Sequence, residues 1–94
     1  MSRSHADVPT PLAARYMVQL CKHFSHKLKT ELAESAGSIV FPERGVCTMT
    51  ADGEALHIVV EAVSDEALPQ LEHVVASHLK RFAWKEPPEI TWVQ

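Results

Sequence analysis

The sequence predicts a single α+β domain, with two helices packed on one face of a largely antiparallel sheet of four to five strands. The chain has 94 residues, which is enough for one hydrophobic core and too few for two domains. Apolar residues recur at helical spacing in two segments, and short runs separated by turn residues lie between them. The predicted order of elements is therefore α-β-β-β-β-α-β.

The first helix is predicted over residues 11–27. Thr10 and Pro11 are typical of a helix start, since a threonine caps the first N–H groups and proline needs none at the first helical position. The apolar face that follows has the spacing i, i+3, i+4, i+7 and comprises Ala13, Tyr16, Met17, Leu20 and Phe24. Residues 1–9 are polar, and we expect them to form a loose tail.

Four strands are predicted over residues 29–34, 38–41, 46–51 and 55–62, where short apolar runs alternate with turn residues. Asp52-Gly53 is typical of a two-residue hairpin turn with positive φ at both centres. Because all the connections are short, the strands are expected to form an antiparallel meander.

The second helix is predicted from about residue 65 to Trp84, followed by a fifth strand over residues 89–93. Its apolar stripe comprises Leu68, Leu71, Val75, Leu79 and Phe82. Pro87-Pro88 is expected to end the helix, since proline cannot continue one.

Composition argues against several classes of protein. The net charge of −3 does not suit a protein that binds nucleic acid through the phosphate backbone, so we expect no nucleic-acid partner. No apolar run approaches the roughly 18 residues of a membrane span, and no apolar leader precedes the domain. The two cysteines are too few for a disulfide framework. These features predict a cytoplasmic protein that does not contact the membrane.

Six histidines in so short a chain are a high count, and their positions on the helices separate them. On the first helix, His23 falls on the flank of the apolar face beside Tyr16, and His26 follows on the same side. Cys21 falls on the other flank. The neighbours Cys21 and His23 therefore cannot bind one metal ion together.

On the second helix, His78 falls inside the apolar stripe, whereas His73 points away from it. A histidine on such a stripe is either a hydrogen-bonded core residue or a ligand or proton-transfer group in a cleft. His57 alternates with apolar neighbours in its strand, which predicts that it lies on the sheet face opposite the helices.

Adjacent helices are about 8–10 Å apart, so a flank residue of one can meet a stripe residue of the other. One rotation of the first helix brings His23 to His78, with Tyr16 nearby. The other rotation presents Cys21 to the second helix and leaves His23 in solvent. Nothing in the sequence selects between these two arrangements.

Basic residues are concentrated in the first 30 residues, which hold five cations and one anion. This distribution fits a solvated helix face, as charge runs commonly do. The alternative is a site for an anion or an acidic partner formed by Arg15, Lys22, Lys27 and Lys29.

Three strings resemble a bacterial family known as domain of unknown function 2218, over about Ala6 to Trp92: LCKHFSHK at 20–27, GVC at 45–47 and VASHLKRF at 75–82. The resemblance implies a small stand-alone cytoplasmic protein. It also implies a link to iron, because similar domains occur joined to siderophore-interacting proteins, the flavin-dependent reductases that release iron from siderophores. It supplies no activity and no catalytic residue.

The leading hypothesis is an accessory or binding protein in siderophore and iron utilisation. Its candidate ligand or metal residues are His23, His26 and His78, and its candidate supporting residues are Tyr16, Lys22, Lys27 and Arg81. Imidazole suits a transition metal such as iron or zinc, and the expected partner is a ferric chelate or a siderophore-interacting reductase.

Two alternatives belong to other classes of protein. One is a structural or oligomerising domain without a ligand, whose uncovered sheet face, where Val40, Val46, His57, Val59 and Val93 are expected, suits a homodimer or a partner interface. The other is a small enzyme with His78 or His23 as general acid–base. We favour a protein that is not an enzyme, since no substrate-positioning group is visible in the sequence.

Overall fold

The computed structural model describes residues 2–83 and 89–94. Its elements are β1 (Ser2–Pro9), α1 (Ala13–Phe24), β2 (Lys29–Leu32), β3 (Ala36–Phe41), β4 (Gly45–Ala51), β5 (Ala55–Ala62) and α2 (Ala67–Phe82). The predicted α+β class is confirmed, with two helices on one five-stranded antiparallel sheet. The order within the described residues is β-α-β-β-β-β-α, so the prediction was wrong at its two ends.

The sheet has the strand order β1-β5-β4-β3-β2, and every neighbouring pair is antiparallel. Strands β2 to β5 form the predicted meander, and β5 has the predicted bounds Ala55–Ala62. β1 adds to the outer side of β5, so that its eight residues pair with residues 55–62.

The loose tail expected over residues 1–9 was wrong, because residues 2–9 form β1. Small side chains on alternate positions face the core, namely Ser4, Ala6 and Val8, and the residues between them are exposed. This period of two is typical of a strand with one buried face. The Ser4 hydroxyl donates a hydrogen bond of 2.6 Å to the Glu72 carboxylate, which joins β1 to α2.

The fifth strand predicted over residues 89–93 is not formed. Instead, a single antiparallel bridge joins Val93 to His5 on the outer edge of β1, through two backbone hydrogen bonds of 2.8 Å. Ile90 and Trp92 are half-buried against the core. Trp84 and Pro87-Pro88, where the second helix was predicted to end, lie outside the described residues.

Both helices are shorter than predicted by a few residues. The Thr10 hydroxyl accepts a hydrogen bond of 3.1 Å from the Leu12 N–H, and α1 begins at Ala13 instead of residue 11. It ends at Phe24, whose carbonyl accepts the N–H groups of Lys27 and Leu28 in the turn that follows. In α2, Pro69 is the third residue, a position where its missing N–H breaks no helical hydrogen bond.

The core lies between the sheet and the two helices. α1 contributes Ala13, Met17, Leu20 and Cys21, and α2 contributes Ala67, Leu68, Leu71, Val75 and Leu79. Cys47 is fully buried and packs as a small apolar residue, as predicted for this free cysteine. Burial raises the pKa of its thiol to about 12, so the thiol stays protonated and unreactive.

Two turns position the central strands. Between β4 and β5 the connection is residues 52–54, and neither Asp52 nor Gly53 has a positive φ, so the predicted turn type was wrong. The Asp52 carboxylate instead accepts the N–H groups of Glu54 and Ala55, each at 2.8 Å. At the start of β4, a Cβ on Gly45 would lie 2.1 Å from the Glu61 carbonyl oxygen, so only glycine fits there.

Alternate residues of the strands point away from the helices. We call this side of the sheet the open face; its side chains include Arg3, His5, Asp7, Lys29, Glu31, Ala36, Ser38, Val40, Val46, Thr48, Thr50, Ala55, His57, Val59 and Glu61. None of the helices in the described residues has the length and hydropathy needed to cross a membrane.

Candidate functional site

The last turns of α1 and α2 bring His23 and His78 together, with ring centroids 4.9 Å apart and planes inclined by 47°. The sequence left two rotations of α1 open, and the structure has the one that brings these two histidines into contact. Cys21 is buried on the side of Glu31 and Gly37, away from α2. Cys21 and His23 therefore lie apart, as the helical spacing predicts.

Aromatic rings enclose this histidine pair. The Phe24 ring lies 4.8 Å from that of His78 and 5.2 Å from that of His23, and the Phe82 ring lies 5.8 Å from that of His23. Phe24 also contacts Phe41 of β3 at 5.5 Å, which ties the pair to the core. His78 is half-buried and His23 is exposed.

A backbone hydrogen bond fixes the orientation of the His78 ring. Its Nδ1 lies 2.7 Å from the carbonyl oxygen of Val74, one turn earlier in α2. A carbonyl only accepts, so Nδ1 carries the proton and donates it, which leaves Nε2 outside this bond. An imidazole held in this way presents a defined nitrogen to a ligand, as metal-binding histidines commonly do.

The charges around His23 are positive. Its pKa is lowered by partial desolvation first, and then by the nearby positive charges of His78, Arg81, His26 and Lys27. We call His23, His26, Lys27, His78 and Arg81 the histidine cluster. An anion bound here would relieve the repulsion among these groups and favour protonation of His23.

A groove of about 550 Å³ borders the histidine cluster; it is lined by Lys27 of the cluster and by Phe24, whose ring contacts both histidines. Its other lining residues are Leu28, Phe41, Pro42, Glu43, Arg44 and Val74. This volume is in the range of small-molecule sites, which combine apolar walls with a few charged groups. Glu43 is the acidic member of the lining, and Lys27 and Arg44 are the basic ones.

The other predicted site residues lie around the contact between His23 and His78. His26 is exposed in the turn that follows α1, and Lys22 is exposed in the last turn of α1. Tyr16 is half-buried against the core. Within residues 2–83 and 89–94, no three His, Cys, Asp or Glu side chains are grouped so that they could hold one metal ion. The structure therefore brings together two of the three candidate metal ligands.

A second histidine site, on the open face, was not found from the sequence. His57 lies between two carboxylates, with Nδ1 2.7 Å from Asp7 and Nε2 2.9 Å from Asp52. Both hydrogen bonds require a proton on the ring nitrogen, and they raise the pKa of His57. The bond from His57 and two backbone N–H groups lower the pKa of Asp52 to about 2.

This site was missed because Asp7 was assigned to a loose tail. The alternation of Ser4, Ala6 and Val8 with polar and charged residues is a weak signal of β1, because the side chains on its buried face are small. Once β1 pairs with β5, the register places Asp7 directly opposite His57. The predicted position of His57 on the face opposite the helices is confirmed.

Comparison with known proteins gives one family and one solved structure. The model of the DUF2218 family, described as an uncharacterised protein conserved in bacteria, matches residues 5–93. The NMR structure of PA4090 from Pseudomonas aeruginosa is similar, with 36% sequence identity and a TM-score of 0.84 over 99% of this chain and 96% of that one. None of the curated proteins matches the chain.

Proposed function

Because the chain belongs to the DUF2218 family, whose description names no activity, we propose its function from its own side chains. We propose a binding or accessory protein in which the histidine cluster and its groove hold an anionic ferric chelate. The observation that carries the proposal is the contact between His23 and His78 amid further cations.

The charges of the cluster support an anionic ligand. Imidazole, ammonium and guanidinium groups come together here from the two helices and from the turn that follows α1, and an anion among them would form charge-assisted hydrogen bonds. Arg81 is suited to a planar carboxylate or catecholate because its guanidinium presents two parallel N–H groups. Phe24 and Phe82 supply apolar surface for the body of such a ligand.

The number of imidazoles supports a metal that arrives already chelated. Two imidazoles leave most coordination positions of Fe³⁺ or Zn²⁺ unfilled, and the described residues offer no third protein ligand nearby. A chelate brings its own oxygen ligands and a negative charge. The resemblance to domains joined to siderophore-interacting proteins supports the same class of ligand, and it makes such a reductase the proposed partner.

The test is calorimetric titration of the purified protein, free of any histidine tag, with a ferric catecholate chelate. Parallel titrations use Zn²⁺ alone and inorganic phosphate. We expect binding of the ferric chelate, a loss of at least tenfold in affinity in Arg81→Gln, and tighter binding at pH 6 than at pH 8, since binding favours a protonated His23.

Three outcomes would contradict the proposal. If titration with the ferric chelate gives no heat at either pH, the protein does not bind this class of ligand. Phosphate binding as tightly as the chelate would mean a general anion site without preference for iron. Zn²⁺ binding alone, lost in both His23→Ala and His78→Ala, would mean a direct metal site.

A further inference from the structure

Four charged or titratable residues of β1 and β5 form two rows on the open face. Strand pairing places Arg3 opposite Glu61 in one row, and Asp7 opposite His57 in another. A third row lies between them, with His5 opposite Val59 and Val59 opposite Thr48. Rows two residues apart along a strand are separated by about 7 Å.

Along each of these two strands, the residue in one charged row has the opposite charge to the residue in the other row. On β1, the cation Arg3 lies in the first row and the anion Asp7 lies in the other. On β5, the Glu61 carboxylate lies in the first row and His57 in the other, and both ring nitrogens of His57 lie within hydrogen-bond distance of carboxylates that a protonated ring pairs with. β1 and β5 therefore each carry one positive and one negative group in these rows, at equal distances on either side of the middle row.

We propose that the open face is the interface of a symmetric homodimer, in which a second copy of this chain packs sheet against sheet. The two-fold axis lies in the interface, crosses the middle row between His5 and Val59, and runs across the strands at about 15° to that row, which is half the crossing angle of stacked sheets. It exchanges the two charged rows, so that Arg3 of each copy faces Asp7 of the partner subunit and Glu61 faces His57 of the partner subunit. Such a surface is self-complementary, as a two-fold interface requires.

The apolar residues of the face support the same arrangement. Val40, Val46 and Val59 are half-buried on the open face although both helices lie on the other side of the sheet. The axis places Val59 and His5, which are paired in the middle row, next to their own copies at the centre of the contact. Side chains in this position are removed from water when two sheets stack about 10 Å apart.

A two-fold axis parallel to the strands along β4 does not suit the charges. It exchanges β1 with β2 and β5 with β3, so that Arg3 faces Lys29 and Glu61 faces Val40. Like charges would then meet at one edge, and an unpaired carboxylate would be buried. The charge pattern thus excludes an axis along β4. An axis parallel to the strands between β1 and β5 would instead pair Arg3 with Glu61 of the partner subunit, and the charge-reversal test distinguishes it from the proposed axis.

The contact is centred between β1 and β5. Stacked sheets cross at about 30°, so rows stay in register only near the centre. Glu31 on β2 also lies in the middle row, but β2 is three strands from β5, about 14 Å. The crossing angle carries Glu31 away from its own copy at that distance.

The first test measures the mass of the protein by sedimentation equilibrium between micromolar and millimolar concentration. We expect a dimer in the wild type, and an increase of at least tenfold in its dissociation constant in Val59→Lys. Leu12→Lys is the matched control, because Leu12 is an exposed aliphatic residue that precedes α1 and lies outside the open face. It should leave the dimer unchanged.

The second test uses charge reversal in separate chains. In a dimer of Arg3→Glu, two carboxylates meet at each of the two contacts between positions 3 and 7. In a dimer of Asp7→Lys, two cations meet at each of these contacts. Each variant should therefore be monomeric. A mixture of the two variants restores both ion pairs in a heterodimer, because each altered residue faces its altered counterpart and each native one its native counterpart. Circular dichroism of each variant confirms that it is folded.

A wild type that is monomeric at millimolar concentration would overturn the proposal. Binding of a different protein to the open face of such a monomer would not rescue it, because the proposed occupant is a second copy of this chain. A dimer that persists in Val59→Lys would place the contact elsewhere, for example at the edge of β2. Two monomeric variants that stay monomeric when mixed would overturn the proposed axis.

Discussion

The molecule contains two histidine sites with opposite surroundings. At the ends of α1 and α2, His23 and His78 lie among cations, and these charges together with desolvation lower the pKa of His23. On the open face, His57 lies between the carboxylates of Asp7 and Asp52, which raise its pKa. His23 is therefore uncharged over a wider pH range than an ordinary histidine, and His57 is charged over a wider pH range.

The difference follows from where each element ends. Both helices carry basic residues in their last turns, Lys22 and His23 in α1 and Lys80 and Arg81 in α2, where the helix dipole favours cations. The dipoles thus offset part of the repulsion among the clustered cations. His57 instead lies in a strand next to a turn whose aspartate already accepts two backbone N–H groups. Local backbone geometry supplies its negative partner.

The largest effect is expected from deletion of residues 1–9, which removes β1 and with it one side of the open-face site. Val8 and Ala6 are fully buried in the core, so we expect the free energy of unfolding to fall by about 3 kcal/mol or more. Denaturant titration measures this loss. A loss below about 0.5 kcal/mol would mean that residues 1–9 do behave as a tail.

A smaller effect is expected from His78→Ala, compared with His73→Ala on the opposite side of the same helix. His78→Ala removes the contacts with His23 and Phe24 and leaves the Val74 carbonyl without this donor, so we expect a loss of about 1–2 kcal/mol. Binding of the ferric chelate should be lost at the same time. His73 is exposed, and its replacement should change stability by less than about 0.5 kcal/mol.

A collapse of folding in His78→Ala with unchanged chelate binding per folded molecule would show that this histidine is purely structural.

The two sites should give opposite dependences of stability on pH. His57 has a raised pKa, so its contribution is complete below the unfolded pKa of about 6.5 and is lost as the pH rises through the folded value. His23 has a lowered pKa, so its protonation reduces stability as the pH falls below about 6.5. Urea midpoints from pH 5 to 9 for the wild type, His57→Gln and His23→Gln separate the two. Parallel curves for the three proteins would contradict both assignments.

The smallest effect is expected from Asp52→Asn, which changes one carboxylate of the open-face site. The amide oxygen can still accept the N–H groups of Glu54 and Ala55, so the turn is retained. The pKa of His57 should move down towards its ordinary value while that of His23 stays constant, as measured by NMR titration of the imidazole protons. An unchanged pKa of His57 would mean that Asp7 alone determines its charge.

The parts of the fold that could be predicted are those with a strong apolar period. The stripe of α2 and the alternation in β5 each bury four or more residues on one side, so their type and face were correct. The same spacing correctly separated Cys21 from His23 and placed His57 on the face opposite the helices.

The parts that could not be predicted depend on pairing between distant segments. β1 buries Ser4 and Ala6, whose side chains are too small to mark a strand by hydrophobicity. Residues 89–93 have a strand-like composition, yet only Val93 forms a bridge. The rotation of α1, which brings His23 to His78, is determined by packing against the sheet and α2, and no single residue of the sequence reports it.

The pairing of β1 with β5 has a consequence for synthesis of the chain. β1 leaves the ribosome before any part of β5 has been made, and the partner of Ser2 is Ala62. At about 5–20 residues per second, β1 waits roughly 3 to 10 seconds for its complete partner. During this time its small and polar side chains give little surface for association with other nascent chains, so a weakly hydrophobic edge strand is suited to being translated early.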